Sequence, residues 1–261
     1  MEPLLTSLDA RGVATISLNR PEVHNAFDAA VIGALSAALD RFAKHPEVRL
    51  LVLCAEGKSF SAGADLGWMK RMAAYSREDN LADACELERL MHGLYDFPRP
   101  TAAVIQGAAY GGAVGLVSCC DIAIASDNAS FALSEARLGL APAVISPFVI
   151  AAIGARQASR YFLTAERFSA ATALELGLVH EVVPLAALAE AREKLLETLL
   201  ANGPVALMAC KHLLRRVAAA TTPELTAYTT ELIASLRTSP EGQEGLSAFL
   251  EKRQPAWQKK G

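Results

Sequence analysis

Ser59-Phe60-Ser61-Ala62-Gly63-Ala64-Asp65-Leu66 and, farther along, Gly107-Ala108-Ala109-Tyr110-Gly111-Gly112-Ala113 are two versions of one pattern. In each, an apolar strand pattern (Leu50 to Cys54, then Thr101 to Ile105) runs into small residues, and a helix pattern follows. Small residues leave backbone N–H groups uncovered, so peptide donors can approach a ligand oxygen closely. Two such segments can aim two N–H groups at one oxygen and make an oxyanion hole. Losing one donor of such a hole typically costs on the order of 3 kcal/mol of transition-state stabilisation.

Outward from these segments the same unit recurs. Leu4 to Leu8 and Val13 to Leu18 flank Asp9-Ala10-Arg11-Gly12, which reads as a hairpin, and Asn19-Arg20-Pro21 ends its second strand. Val31, Ile32, Leu35, Ala38, Leu39 and Phe42 recur at helical spacing. Leu50 to Cys54 is apolar without alternation, as in a strand covered on both faces. Ser76-Arg77-Glu78-Asp79 predicts a capping box opening a helix through about Tyr95, stopped by Pro98 and Pro100. Asp121 to Ala125 and Ser130 to Leu133 read as further strands. From about Ser146, placed with Pro147 as N-cap and first turn, the patterns are mostly helical, and only Val179 to Val183 reads as a strand. Leu185 to Leu200, Pro204 to Ala220, Pro223 to Leu236 and Pro240 to Lys252 are expected helices. The expected organisation is an α/β core over residues 1–195 and a helical region over 196–261, with no low-complexity linker between them.

Composition narrows the function classes. The chain has 261 residues, 52% of them hydrophobic, enough for a sizeable core. A net charge of −3 with interspersed signs gives no nucleic-acid footprint and no basic block for a membrane surface. No apolar run reaches the ~18 residues of a membrane span, and Met1-Glu2-Pro3 begins no signal peptide, so a cytoplasmic location is expected. The five cysteines are odd in number and contain no C-x-x-C pair, which points to reduced buried thiols rather than disulfides or zinc. His45, His92, His180 and His212 are isolated, and no metal-ligand cluster is expected.

Asn19-Arg20-Pro21 through Asn25-Ala26-Phe27, Phe60 through Asp65, Gly107 through Gly115 with Cys120-Asp121-Ile122, Phe131 through Leu138, and Phe249-Leu250-Glu251-Lys252-Arg253 resemble the successive signatures of the enoyl-CoA hydratase/isomerase (crotonase) family. The resemblance runs nearly end to end. It implies a spiral of repeated ββα units, a helical C-terminal trimerisation region, and a homotrimer or a homohexamer of two trimers. It implies an acyl-CoA substrate and no separate cofactor, coenzyme A being part of the substrate.

Carried over by position, the resemblance puts the two oxyanion donors on the N–H groups of Ala64 and Gly112, and an acid/base on Glu135. At the start of a helix, the dipole would add to the Gly112 donor. Ala62, Leu66 and Gly67 fall beside the first donor, while Asp65 reads as the N-cap of the helix that Leu66 begins. Glu22, Val23 and His24 match the loop that receives coenzyme A, and Phe249 and Lys252 match C-terminal positions that reach it across a subunit interface. Trp68 and Met69 are candidates for the acyl tunnel, with core packing as the default reading.

The carboxylates depart from the pattern. Hydratases of the family use two glutamates, whereas here Glu135 matches the second and the first falls at Gly115. In an apolar pocket the pKa of Glu135 would rise toward a range useful for proton transfer at neutral pH. One carboxylate can serve hydration by taking the water proton and returning it to the α-carbon. Tyr110, Ser134 or a carboxylate on the substrate are alternative helpers. The bare Gly115 would either enlarge the pocket for a branched acyl group or simply pack inside a helix. The altered segment Pro142-Ala143-Val144-Ile145-Ser146-Pro147 predicts a differently shaped pocket floor.

A narrower resemblance, in Ala64 through Lys70, Gly111 through Leu116 and Leu140 through Pro147, is to bacterial methylglutaconyl-CoA hydratases of leucine breakdown and related hydratases of branched, carboxylated acyl-CoAs. A distal carboxylate would want a cation, for which Lys70, Arg71, Arg156 and Arg160 are candidates. Two rivals remain: an isomerase, which needs only one base, and a CoA-binding or RNA-associated scaffold without catalysis.

Overall fold

The computed structural model describes residues 2–72, 74–219 and 223–258. The hairpin forms as expected from β1 (Leu4–Leu8) and β2 (Val13–Leu18), with Leu4 opposite Leu18. Its turn is closed by Asp9, whose Oδ1 accepts from the N–H groups of Arg11 and Val13 at 2.9 and 3.0 Å. α1 (Ala29–Lys44) is capped by Asp28, which accepts from Val31 N–H at 2.9 Å, and buries the six apolar residues of the predicted stripe. β3 (Leu50–Ala55), α2 (Leu66–Met72) and α3 (Arg77–Tyr95) follow, the last opened by the expected Ser76–Asp79 capping box. Next come β4 (Thr101–Ile105), β5 (Ala109–Tyr110), α4 (Gly112–Cys119), β6 (Ile122–Ser126) and β7 (Ser130–Ala132). A single 3-10 turn spans Glu135–Leu138. α5 (Ser146–Thr164), β8 (Arg167–Ser169), α6 (Ala170–Leu176), β9 (Glu181–Val183) and α7 (Leu188–Leu200) lead to α8 (Pro204–Ala219), α9 (Pro223–Thr238) and α10 (Pro240–Leu250).

The main sheet has the order β1-β2-β3-β4-β6-β9 and is parallel from β2 onward. Its central parallel strands are buried on both faces, which explains the unalternating β3. Leu51 and Leu53 join the larger core, whereas Leu50 and Val52 pack with Val13, Val104 and Ile124 under Leu188, Ala191 and Leu196 of α7. A second sheet, β5-β7-β8, is built from strands of two and three residues.

Several boundaries differ from expectation. Ser146 is the first residue of α5, not its N-cap, and its hydroxyl donates to Ala143 C=O at 2.8 Å; Ile145 holds the cap position. Gly154 (φ 76°, ψ 152°) breaks α5 in the middle. β8 was not expected, and β9 is shorter than Val179 to Val183 because Val179 N–H donates back to Ala173 C=O of α6 rather than into the sheet. α10 stops at Leu250, and Lys252 turns to a left-handed φ of 54°. Residue 220, the expected end of α8, lies outside the described residues.

The C-terminal helices are fastened to the sheet by a buried charge. Lys211 of α8, 6% exposed, sets its Nζ 2.6 Å from Asp121 Oδ2 and 3.0 Å from Arg99 C=O. Asp121 also accepts from the Thr101 N–H at 2.8 Å, so α8 is tied to the start of β4. Arg215, one turn on, reaches Asp96 at 2.9 Å and lies over the Tyr95 ring. Among the described residues no helix is long and apolar enough to cross a membrane.

Candidate active site

The two small-residue segments lie side by side. Ser61 forms a parallel bridge with Ala109: Ser61 N–H donates to Ala108 C=O at 2.9 Å and Tyr110 N–H to Ser61 C=O at 3.0 Å. Ala109 in turn pairs in parallel with Phe131. Residues 61, 109 and 131 therefore form one row of a ladder, and three residues beyond that row stand Ala64, Gly112 and Ser134, with Glu135 next. Register alone carries the predicted donors and the predicted acid to the same end of the ladder.

Local pairing sets each donor free. Ala64 bridges Phe27, but the bonds are made by its neighbours: Phe27 N–H donates to Gly63 C=O at 2.7 Å and Asp65 N–H to Phe27 C=O at 2.8 Å. In a parallel ladder the residue between those two bonds points its own N–H the other way. Gly112 is the first residue of α4, where a helix leaves its N–H groups without intrahelical acceptors. Neither N–H donates to a described residue. The chain reaches these positions through glycines at φ 93° (Gly63) and 55° (Gly111). A Cβ on Gly63 would stand 3.2 Å from Tyr110 C=O, so close approach of the segments also requires its bareness.

Glu135 opens the 3-10 turn after β7, and its Oε1 lies 3.3 Å from where a Cβ on Gly111 would stand. Its Oε2 is buried and has no hydrogen-bond partner among the described residues. Burial pushes the Glu135 carboxyl above its ordinary range, only partly offset by its own backbone N–H. An orphaned buried carboxylate oxygen is costly to a fold and characteristic of a functional group.

The loop expected to receive coenzyme A is fastened to the first segment. Ala62 N–H donates to His24 C=O at 2.9 Å, and Asn25, 2% exposed, donates from Nδ2 to Glu56 and Ser59 C=O at 2.8 Å each. His24 and Asn25 both hold φ 54°, while Glu22, Val23 and His24 are exposed. Asp65 caps α2 as expected, accepting from Trp68 N–H at 3.0 Å, and Arg20 bridges Asp65 and Asp28. Ala62, Leu66 and Gly67 are exposed at this rim, and Trp68 is packed into the core. The anchoring roles of Arg20, Asn25 and Phe27 were missed; an Asn directly ahead of the apolar pair Ala26-Phe27 was the available signal.

Two sets of predicted residues are not drawn in. Phe249 and Lys252 are exposed at the end of α10, which packs on α8 and α9. Arg160 pairs with Glu166 at 2.5 Å on the second half of α5. The reading of Gly115 as an enlargement of the pocket is corrected. Gly115 is buried in α4, and a Cβ there would lie 2.3 Å from Ile145 Cγ2 and 3.2 Å from Met91 Cε. The volume is already filled. Among the described residues no group of three or more His, Cys, Asp or Glu side chains could hold a metal ion.

Comparison with known proteins agrees with this arrangement. The sequence profile described as enoyl-CoA hydratase/isomerase matches residues 9–260. The crystal structure of an enoyl-CoA hydratase from Shewanella pealeana superposes with a TM-score of 0.94 at 48% identity, covering 98% of this chain and 96% of that one. The 2,3-dehydroadipyl-CoA hydratase of Escherichia coli is 31% identical over 258 residues, 98% of each chain. The trans-2-decenoyl-[acyl-carrier-protein] isomerase of Streptococcus mutans is 32% identical over 246 residues, 94% of each. The ββα spiral, the paired small-residue turns and these similarities together make the chain a member of the enoyl-CoA hydratase/isomerase family, with the crotonase fold.

Proposed function

We propose that the protein catalyses reversible addition of water to a 2-enoyl-CoA thioester, with Ala64 and Gly112 as oxyanion donors and Glu135 as the acid/base. The observation that carries this reading is the half-buried Glu135 carboxylate, with one buried and orphaned oxygen, at the same end of the ladder as two unpaired N–H groups. Water's oxygen bonds to C3 while Glu135 takes its proton; the C2–C3 π pair becomes the C1–C2 bond and the carbonyl π pair moves onto the thioester oxygen. The enolate so formed is held by the two N–H groups. Collapse of the enolate takes the proton from Glu135 onto C2, so one water is added and the carboxylate is regenerated. The loop of Glu22, Val23 and His24 would receive coenzyme A. Phe249 and Lys252 would reach it from a neighbouring protomer of a homotrimer or homohexamer, in the cytoplasm.

The acyl group we favour is branched and carboxylated, 3-methylglutaconyl-CoA being the type, on the match of the α2 start, α4 and the Leu140–Pro147 segment to such hydratases. The experiment is a panel of crotonyl-, 3-methylcrotonyl-, 3-methylglutaconyl- and 3-enoyl-CoA, scored separately for hydration and for double-bond migration. Hydration with highest kcat/KM on 3-methylglutaconyl-CoA is expected. Migration of 3-enoyl-CoA without hydration would replace this reading by the isomerase one, which the single acid and the Streptococcus relative favour.

A further inference from the structure

Gly111 is the N-cap of α4, with a non-helical backbone (φ 55°, ψ −122°), and Gly115 lies four residues on, inside the helix. Each is covered by a different side chain from the segment after β7. Glu135 lies over Gly111, and Ile145, 3% exposed, lies over Gly115. The Ile145 contact is close: a Cβ at 115 would fall 2.3 Å from its Cγ2 and 2.8 Å from its Cβ, distances that real side chains do not tolerate. Side chains at 115 and 145 are therefore mutually exclusive. Ile145 is held in place as the residue on which α5 begins, with Val149 N–H donating to its C=O at 3.1 Å.

We propose that Ile145 is the positioning residue that makes this a one-carboxylate site: by filling the volume over Gly115 it denies that position any side chain and leaves Glu135 alone to hold and deprotonate the reacting water. The inference rests on the hydration reaction proposed above, yet its packing half is testable without it.

The test compares Gly115→Ala in the natural background and in Ile145→Gly, by thermal melting. In the natural background it is expected to lower Tm by several degrees; in Ile145→Gly, where both clashing carbons are gone, by less than half as much. Equal losses in the two backgrounds would overturn the exclusion. The functional half is read from Gly115→Glu/Ile145→Gly, chosen because Gly115→Glu alone is expected to misfold. Its pH profile of kcat/KM for crotonyl-CoA hydration should gain a second carboxylate ionisation that the natural enzyme lacks. Two carboxylate ionisations in the natural enzyme, or an unchanged single one in a folded double variant, would contradict the inference. Full hydration by Glu135→Gln would instead sink the reaction itself while leaving the packing result standing.

Discussion

At the scale of single residues, Glu135 is placed against the interest of the fold. Burial raises its pKa, so the folded protein binds the proton more tightly than the unfolded chain does. The linkage sign follows. Between the ordinary glutamate range and the raised value, stability falls as pH rises, and above both values the loss is constant. Glu135→Gln should therefore match the natural protein in Tm at low pH, below both values, and melt higher at neutral pH. A variant that melts lower at neutral pH would show that the carboxylate is stabilised by a partner. Gly63 gives a second residue-scale expectation. Its φ of 93° and the 3.2 Å gap to Tyr110 C=O both oppose a side chain. Gly63→Ala should cost about 1 kcal/mol or more in chemical denaturation. It should also depress kcat more than it raises KM, since the strain is next to the Ala64 donor.

At the scale of elements, what was legible in the sequence was what is written locally. The unalternating run of β3 announces burial on both faces, and the two clusters that share it bear this out. The Ser76–Asp79 box and the Asp65 cap are local chemistry and were found where expected. By contrast β5 and β8 hold two and three residues, and they are strands only because distant partners in β7 align them. Neither run carries a strand pattern of its own. The filling of Gly115 by Ile145 was illegible for the same reason: the partner sits on another element, and a glycine in a helix does not say what covers it. The kink at Gly154 was missed because Ser146 to Thr164 reads as one amphipathic run. For Asp28, a cap that also pairs with Arg20 at 2.9 Å, substitution by Ala should cost about 1–2 kcal/mol of stability. A loss below a few tenths would mean that the Arg20 pair contributes nothing to it.

At the scale of the whole molecule, the C-terminal helices and the sheet share one ion pair that is deeply enclosed on the lysine side. Desolvation pulls the Lys211 pKa down, and the Asp121 carboxylate only partly restores it. Lys211→Ala would leave Asp121 with only the Arg215 guanidinium at 3.6 Å and would empty the space of a buried side chain, so it should cost about 3 kcal/mol, the low end for a broken buried pair. Limited proteolysis should then cut first near α8. Unchanged protease resistance would mean that apolar packing alone docks the helices. The proposed reaction belongs to this scale too, because it draws on three segments distant in sequence: the bridge at Ser61, the start of α4 and the turn after β7. The most direct test of that convergence is the hydration rate of Glu135→Gln on the best thioester of the panel, measured on protein shown to be folded. A fall in kcat/KM of about 10²–10⁴-fold is predicted, as for other general acid–base groups; a rate within threefold or so of the natural enzyme would contradict the assignment of Glu135 as the proton carrier.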